Sequence, residues 1–203
     1  MKAVKAELRK TIGAKIRTLP LEEIQRQSDV VFNHIISRKD FQSAKRVSIY
    51  LSTPTEVDTL KLVENMLTAD KCVFVPRFRK GCETMEMLKL RSMDDYRSLP
   101  ETMWNIKQPA LNDCSRENLM DKGCLDLMLM PGVAFTPSGG HRLGHGGGFY
   151  DRYLTNYVAK FDARPVTLAL ALNEQICASV PYDDETDFTI DEVIAEKLIA
   201  TAL

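Results

Sequence analysis

The sequence has no strong excess of either charge and no long apolar run. Its 27 lysine and arginine residues nearly balance 28 aspartate and glutamate residues, leaving a formal net charge of -1 at pH 7. Such a chain has no overall positive field to attract nucleic acid. No apolar stretch approaches the roughly 20 residues that a membrane-spanning helix needs. We therefore expect neither a nucleic-acid partner nor a membrane, and any anion must be bound by local groups.

The cysteines form no recognisable pattern. There are five cysteines, an odd number, with no CxxC pair and no spacing typical of metal ligands. A reducing intracellular compartment is the simplest interpretation. The first residues, MKAVKAELRKTIGAKIRTL, lack the apolar core of a secretory signal, and Glu7 argues against a basic transit peptide. We expect a soluble cytoplasmic protein.

Apolar periodicity predicts two amphipathic helices before any strand. The second follows Pro20 and has an acidic first turn. Their apolar faces carry Val4, Leu8, Ile12 and Ile16 in the first helix and Ile24, Val31 and Ile35 in the second. The chain is long enough to bury a sizeable core, and we predict a single domain over residues 1–203.

Apolar runs alternate with helical patterns through the rest of the chain. RVSIYLS, a helix from about Asp58 with Leu60, Val63 and Leu67 inward, and CVFVPRF form a β-α-β unit. MEMLKL, LDLMLMP and PVTLALAL are further predicted strands, and a helix is predicted over about 149–161. Continuous apolar runs indicate strands covered on both faces. We predict an α/β fold, a three-layer α/β/α sandwich with a mostly parallel central sheet, preceded by the two N-terminal helices.

In such sheets, ligands bind beyond the carboxyl ends of the strands. Polar groups follow three predicted strands: residues 53–56, Arg77 and a glycine-rich loop. We expect them to converge on one edge of the sheet. A long irregular stretch containing Trp104 is also expected to have a role, because long loops in compact domains are usually functional.

The glycine-rich loop concentrates backbone freedom at one place. Seven of the ten glycines lie between positions 132 and 148. Gly144, Gly146, Gly147 and Gly148 permit positive φ angles and let N–H groups point together at an anion. The following helix N-terminus would favour an anion by about 0.3–1 kcal/mol, and Arg142 offers a fork suited to phosphate. The loop matches neither a Walker A nor a GxGxxG pattern, so a mobile surface turn remains the alternative.

Four segments together resemble the 5-formyltetrahydrofolate cyclo-ligase family: PGVAFTPSGGHRLGHGGGFYDRYL, KAELRK, WNIKQP and TLALALNEQI. The resemblance implies an enzyme that uses ATP and magnesium to convert 5-formyltetrahydrofolate into 5,10-methenyltetrahydrofolate, ADP and phosphate. It further implies that the formyl oxygen is phosphorylated first and that the 10-nitrogen then attacks the carbon and expels phosphate. Small-molecule substrates and a monomeric protein are expected.

The resemblance implies two groups of ATP-binding residues. Lys5 and Arg9 match the family motif near the N-terminus and lie on one helix face, although such a pair alone is typical of a solvated surface. The second group comprises Arg142, Leu143, Gly144, His145, Gly146, Gly147, Gly148, Phe149 and Tyr150.

The resemblance also implies a metal site formed by Asp151 and Asp187. Carboxylate and phosphate oxygens with water suit Mg²⁺. Arg142 and Asp151 are expected to be the catalytic residues. The alternatives from sequence alone are an acidic residue at a helix N-terminus for Asp151 and an exposed loop acid for Asp187.

Glu56 matches the family's folate-contacting glutamate, with a first-turn helix acid as the alternative. Trp104 could stack on the pterin or adenine ring, although a lone loop tryptophan more often covers a core, and Arg77 is a weaker candidate. The other expected substrate contacts are Leu51, His145, Gly146, Gly147, Gly148, Phe149 and Tyr150.

Three positions depart from the family pattern. Some members have basic residues where this chain has His145 and Gly147, and Phe149 replaces a common tyrosine. We expect altered affinity rather than lost activity. A relative that binds folate or nucleotide without turnover is the second hypothesis. A sugar-phosphate isomerase or acyl-CoA transferase is disfavoured, because no catalytic glutamate or lysine motif of those enzymes is evident.

Overall fold

A computed structural model describes residues 1–79, 81–102 and 106–201. The helices are α1 (Lys2–Arg17), α2 (Leu21–Ser37), α3 (Lys39–Ser43), α4 (Leu60–Thr68), α5 (Met93–Ser98), α6 (Leu119–Lys122), α7 (Phe149–Phe161) and α8 (Glu196–Thr201). The strands are β1 (Arg46–Ile49), β2 (Cys72–Phe78), β3 (Met85–Leu90), β4 (Leu127–Met130), β5 (Ala134–Thr136), β6 (His141–Leu143), β7 (Val166–Leu170) and β8 (Glu192–Ile194). None of these helices is long and apolar enough to cross a bilayer.

Six strands form the central sheet, in the order β3-β2-β1-β4-β7-β8. All neighbouring pairs are parallel except β2 and β3, which are antiparallel. The predicted α/β fold with a mostly parallel sheet flanked by helices is confirmed. The apolar runs explain it, since every residue of β4 is fully buried, as expected of a strand covered on both faces.

Two helices differ in detail from their predicted apolar faces. In α4 the inward side chains are Leu62, Val63 and Met66, whereas Leu60 is exposed. The helix begins at Leu60 rather than near residue 58, so its first residue lies beyond the edge of the core. In α1 Ile12 and Ile16 are buried and Leu8 packs against the core while partly buried, whereas Val4 is exposed.

A small hairpin of β5 and β6 leads from the central sheet to the glycine-rich loop. It is anchored through Gly140, whose carbonyl accepts a hydrogen bond from the Ile190 N–H at 2.9 Å. Gly140 has φ +64°, and a Cβ there would lie 1.9 Å from the Ile190 carbonyl oxygen. Only glycine permits this approach, which fixes where the loop begins.

Candidate active site

A cavity of about 550 Å³ lies beyond the carboxyl ends of β1 and β2, against the N-terminus of α7. The glycine-rich loop and residues 53–56 both reach it, as the sequence predicted. Its lining comprises Tyr50, Leu51, Thr53, Thr55, Glu56, Pro76, Phe78, Ile106, Pro131, Arg142, Gly144, His145, Gly147, Gly148, Phe149, Tyr150 and Asp151.

Arg77 does not belong to this cavity, so that expectation is wrong. It lies within β2 rather than after it, and its side chain donates to Glu86 at 2.8 Å and to the carbonyl oxygens of Ala110 and Asp113. Successive side chains of a strand point to opposite faces. The residues on either side of Arg77 therefore line the cavity while Arg77 holds a loop on the other face.

Glu56 is held rigidly at the cavity wall. One carboxylate oxygen, Oε2, accepts hydrogen bonds from the Thr53 N–H at 2.8 Å and from its hydroxyl at 2.9 Å. The other, Oε1, lies 3.3 Å from Nε2 of the mostly exposed His145. The short turn after β1 thus buries a carboxylate with one oxygen facing the glycine-rich loop.

Arg142 and Asp151 form a buried ion pair between β6 and the first turn of α7. The Arg142 guanidinium, only 3% exposed, donates to Asp151 Oδ1 at 2.7 Å. Its Nε has no partner among the described residues. The Phe188 N–H also donates to Asp151 Oδ1, at 3.2 Å. The pair therefore joins three chain segments beside the cavity.

The glycines of the loop serve two different needs. Gly146 and Gly148 have positive φ angles, +108° and +63°, but Gly144 and Gly147 do not. At Gly147 it is space that matters, because a Cβ there would lie 2.6 Å from the Phe149 ring. Gly148 precedes α7, and no side chain among the described residues caps this helix. Its first N–H groups are therefore free of a side-chain acceptor, as an anion site requires.

Helix α1 packs against the far side of the loop. Arg9 donates through Nε to the Gly144 carbonyl at 2.8 Å, and Lys5 pairs with Asp187 at 2.5 Å. Neither Lys5, Arg9 nor Asp187 lines the cavity. Leu143 and Gly146 are likewise outside its lining, so the loop separates the cavity from this second group of charges.

The two predicted metal ligands lie close together, since the residue after Asp187 donates its N–H to Asp151. Asp151 Oδ2 and Asp187 Oδ1 accept no hydrogen bond from the described parts of the chain. No cluster of three or more potential metal-binding side chains occurs there. Two free carboxylate oxygens fit a Mg²⁺ ion that takes its remaining ligands from phosphate and water.

The sequence pattern of the 5-formyltetrahydrofolate cyclo-ligase family matches residues 1–196. The chain belongs to this family. A probable 5-formyltetrahydrofolate cyclo-ligase of Caenorhabditis elegans is 41% identical over 197 residues, covering 97% of this chain and 94% of the relative. The mouse (Mus musculus) 5-formyltetrahydrofolate cyclo-ligase is 39% identical over 194 residues, covering 96% and 94%.

A solved structure of similar fold, the 5,10-methenyltetrahydrofolate synthetase of Aquifex aeolicus, has a TM-score of 0.72 and 27% identity. The match covers 94% of this chain and 88% of that one. The synthetase of Mycoplasma pneumoniae, at 18% identity and a TM-score of 0.68, supports the fold alone. The family inferred from the motifs is confirmed.

In this cyclo-ligase family member, Tyr150 places a neutral hydroxyl in the cavity wall. Burial and the nearby Glu56 charge raise the pKa of Tyr150 well above its usual value. Its hydroxyl is buried and has no hydrogen-bond partner within the described residues. A buried hydroxyl without a partner is unfavourable, which points to a ligand that completes it.

Five residues that line the cavity were not predicted from the sequence, and the one tryptophan that was predicted to contact substrate is not among the lining residues described. Trp104 lies outside the described residues. The missed residues are Tyr50, Pro76, Phe78, Ile106 and Pro131. Four of them lie within the last three residues of the predicted apolar runs, so their position near the carboxyl ends of strands was a usable signal. Ile106 lies in WNIKQP, one of the segments that carry the resemblance, but nothing in that segment marked Ile106 as a cavity residue.

Proposed function

We propose that the chain converts 5-formyltetrahydrofolate into 5,10-methenyltetrahydrofolate while ATP becomes ADP and phosphate. The observation that carries the proposal is one cavity bounded on one side by Glu56 and on another by the glycine-rich loop at an uncapped helix N-terminus. A folate and a nucleotide phosphate can therefore meet there. Family membership supports the same assignment.

The chemistry requires an activated formyl oxygen. The formyl group on the 5-nitrogen is an amide, whose oxygen is a poor leaving group. Transfer of a phosphoryl group from ATP to that oxygen lets the 10-nitrogen attack the carbon, and the C–O bond then breaks to release phosphate. Phosphoryl transfer asks mainly for positioning and charge neutralisation.

On the nucleotide side, the chain supplies N–H donors and cations. The first N–H groups of α7 would bind phosphate oxygens, and Arg142 is paired with Asp151 in that first turn. Arg9 contacts the loop from its other side, at the Gly144 carbonyl. Arg9 already uses Nε to hold the Gly144 carbonyl, so its terminal NH groups are the ones left for phosphate. Lys5 adds a further charge on the same helix face.

We propose that Asp151 and Asp187 hold Mg²⁺ in the working enzyme. A bound magnesium ion would neutralise charge on the phosphate oxygens. Asp151 also keeps the Arg142 guanidinium fixed through their 2.7 Å contact. Removing Asp151 would therefore disturb both the metal site and the arginine.

On the folate side, Glu56 and the Tyr150 hydroxyl provide polar contacts beside apolar side chains that include Phe78 and Ile106. Glu56 Oε1 can accept hydrogen bonds from N–H groups of the pterin ring, and Leu51 packs beside it. The apolar lining excludes water from the activated formyl carbon, which would otherwise be open to hydrolysis.

An assay of turnover and binding tests this function against the binding-only alternative. Protein, MgATP and 5-formyltetrahydrofolate should yield ADP together with the methenyl chromophore. Calorimetric binding of folate or nucleotide without ADP formation would favour the alternative. In that case the lower positive charge at His145 and Gly147 would allow binding but not turnover.

We also propose that the protein acts on small molecules as a cytoplasmic monomer. The five cysteines are free, as a reducing compartment requires. Sedimentation analysis and imaging of a tagged chain test these two points; a dimer or an organellar pattern contradicts them.

A further inference from the structure

The side chain of Gln108 makes two hydrogen bonds to the backbone of one residue. The Phe78 N–H donates to Gln108 Oε1 at 3.0 Å, and Gln108 Nε2 donates to the Phe78 carbonyl at 3.1 Å. Gln108 is only 5% exposed. The amide therefore pairs with Phe78 much as a neighbouring strand would.

The sheet topology explains why a side chain is needed there. Strand β1 pairs with β2 only over Arg46–Ser48 and Cys72–Phe74, and β1 ends at Ile49. Phe78 lies beyond that point, so no strand in the described part of the chain pairs with its N–H and C=O on this side. Unpaired backbone groups that are shielded from water are unfavourable, and Gln108 satisfies both.

The neighbours of Phe78 fasten the same loop. Arg77 donates to the Ala110 and Asp113 carbonyls, and Arg79 donates to the Leu111 carbonyl. The last two residues of β2 and Arg79 directly after it thus bind residues 108–113. Of these three residues, Phe78 is the one whose side chain lines the cavity.

Phe78, Ile106 and Phe149 form an apolar wall of the cavity. The Phe78 and Phe149 rings meet edge to face, with centroids 5.1 Å apart and an interplanar angle of 64°. Ile106 lies two residues before Gln108. The two hydrogen bonds of Gln108 therefore fix both the Phe78 backbone and the loop that carries Ile106.

We propose that Gln108 is a positioning residue that sets this apolar wall against the ring system of the folate substrate. The proposal rests on the proposed function for the identity of the substrate. The two hydrogen bonds between Gln108 and Phe78 do not depend on which substrate binds. Loss of the bridge weakens folate binding and leaves phosphate chemistry, which occurs on the glycine-rich side of the cavity, largely intact.

Gln108→Met tests the proposal, because methionine keeps the length of the side chain but removes the strong donor and acceptor. The KM for 5-formyltetrahydrofolate should rise about fivefold or more, while kcat and the KM for ATP stay within about twofold. The matched control is Gln42→Met, since Gln42 is exposed and donates to the Ile36 carbonyl far from the cavity. It should leave all three constants unchanged.

Hydrogen exchange at the Phe78 amide tests the bond to Gln108 independently of enzymatic activity. The amide should exchange faster in Gln108→Met than in the wild type, with global stability measured in parallel by urea unfolding. Unchanged exchange, or an unchanged folate KM in an active enzyme, would overturn the inference and leave the function standing. If the wild type makes no product, the function fails. Faster exchange and weaker calorimetric binding of folate to Gln108→Met would then still support the positioning role.

Discussion

Arg142 on β6 and Asp151 in the first turn of α7 are joined by a buried ion pair, 2.7 Å from nitrogen to oxygen. The pair ties the hairpin before the glycine-rich loop to the helix after it. Both residues also line the cavity. The same two side chains therefore hold the loop in shape and present charge to whatever binds there.

Asp151→Asn should reduce turnover by at least about 100-fold while keeping the fold, since asparagine retains an acceptor for Arg142 but loses the charge for Mg²⁺. Asp151→Ala should in addition destabilise the protein by about 3–5 kcal/mol, because the buried guanidinium is left unpaired. Steady-state rates at varied magnesium and urea unfolding measure the two effects. Near wild-type rates for Asp151→Asn at limiting magnesium would contradict the metal assignment.

Gly146→Ala should weaken ATP binding about tenfold or more, because φ +108° is unfavourable for alanine and the loop must shift. Gly81→Ala is the matched control: Gly81 has φ +80°, and a Cβ there meets no atom of the described residues within 4 Å. The two variants should lose comparable stability in thermal unfolding. Only Gly146→Ala should raise the KM for ATP; equal KM values would argue against a phosphate site in the loop.

His145→Arg should lower the KM for ATP by about threefold to tenfold at low salt, because it adds a fixed positive charge beside the loop. The effect should shrink as ionic strength rises, since the side chain is largely exposed. His34→Arg, on α2, is the control for a general change in net charge. If both variants behave alike, His145 does not face the phosphates.

Glu86→Gln should destabilise the protein at neutral pH but not in acid. The bond from Arg77 holds the pKa of Glu86 below its ordinary value of 4.5. A lowered folded-state pKa gives stability that is present above 4.5 and lost as pH falls through the folded value. The difference in urea midpoint between the wild type and the variant should therefore become smaller as pH falls below 4.5. Glu64→Gln, on the exposed surface of α4, should have the urea midpoint of the wild type at both neutral and acid pH.

Periodicity and apolar runs were enough to predict the fold, because a strand buried on both faces, such as β4, has an apolar residue at every position. They were also enough to bring Glu56 and the glycine-rich loop to one edge. They failed for Arg77, because it lies inside the run CVFVPRF, where the alternation of side chains turns it to the face opposite the cavity. Gln108 could not be found from sequence, since its role depends on where β1 stops.

The most direct test of the account is single turnover with 5-formyltetrahydrofolate, ATP and Mg²⁺, following the methenyl chromophore and ADP together. We predict one ADP per methenyl group formed, with no chromophore when ATP or Mg²⁺ is left out. Chromophore without ATP, or ADP without chromophore, would contradict the proposed function.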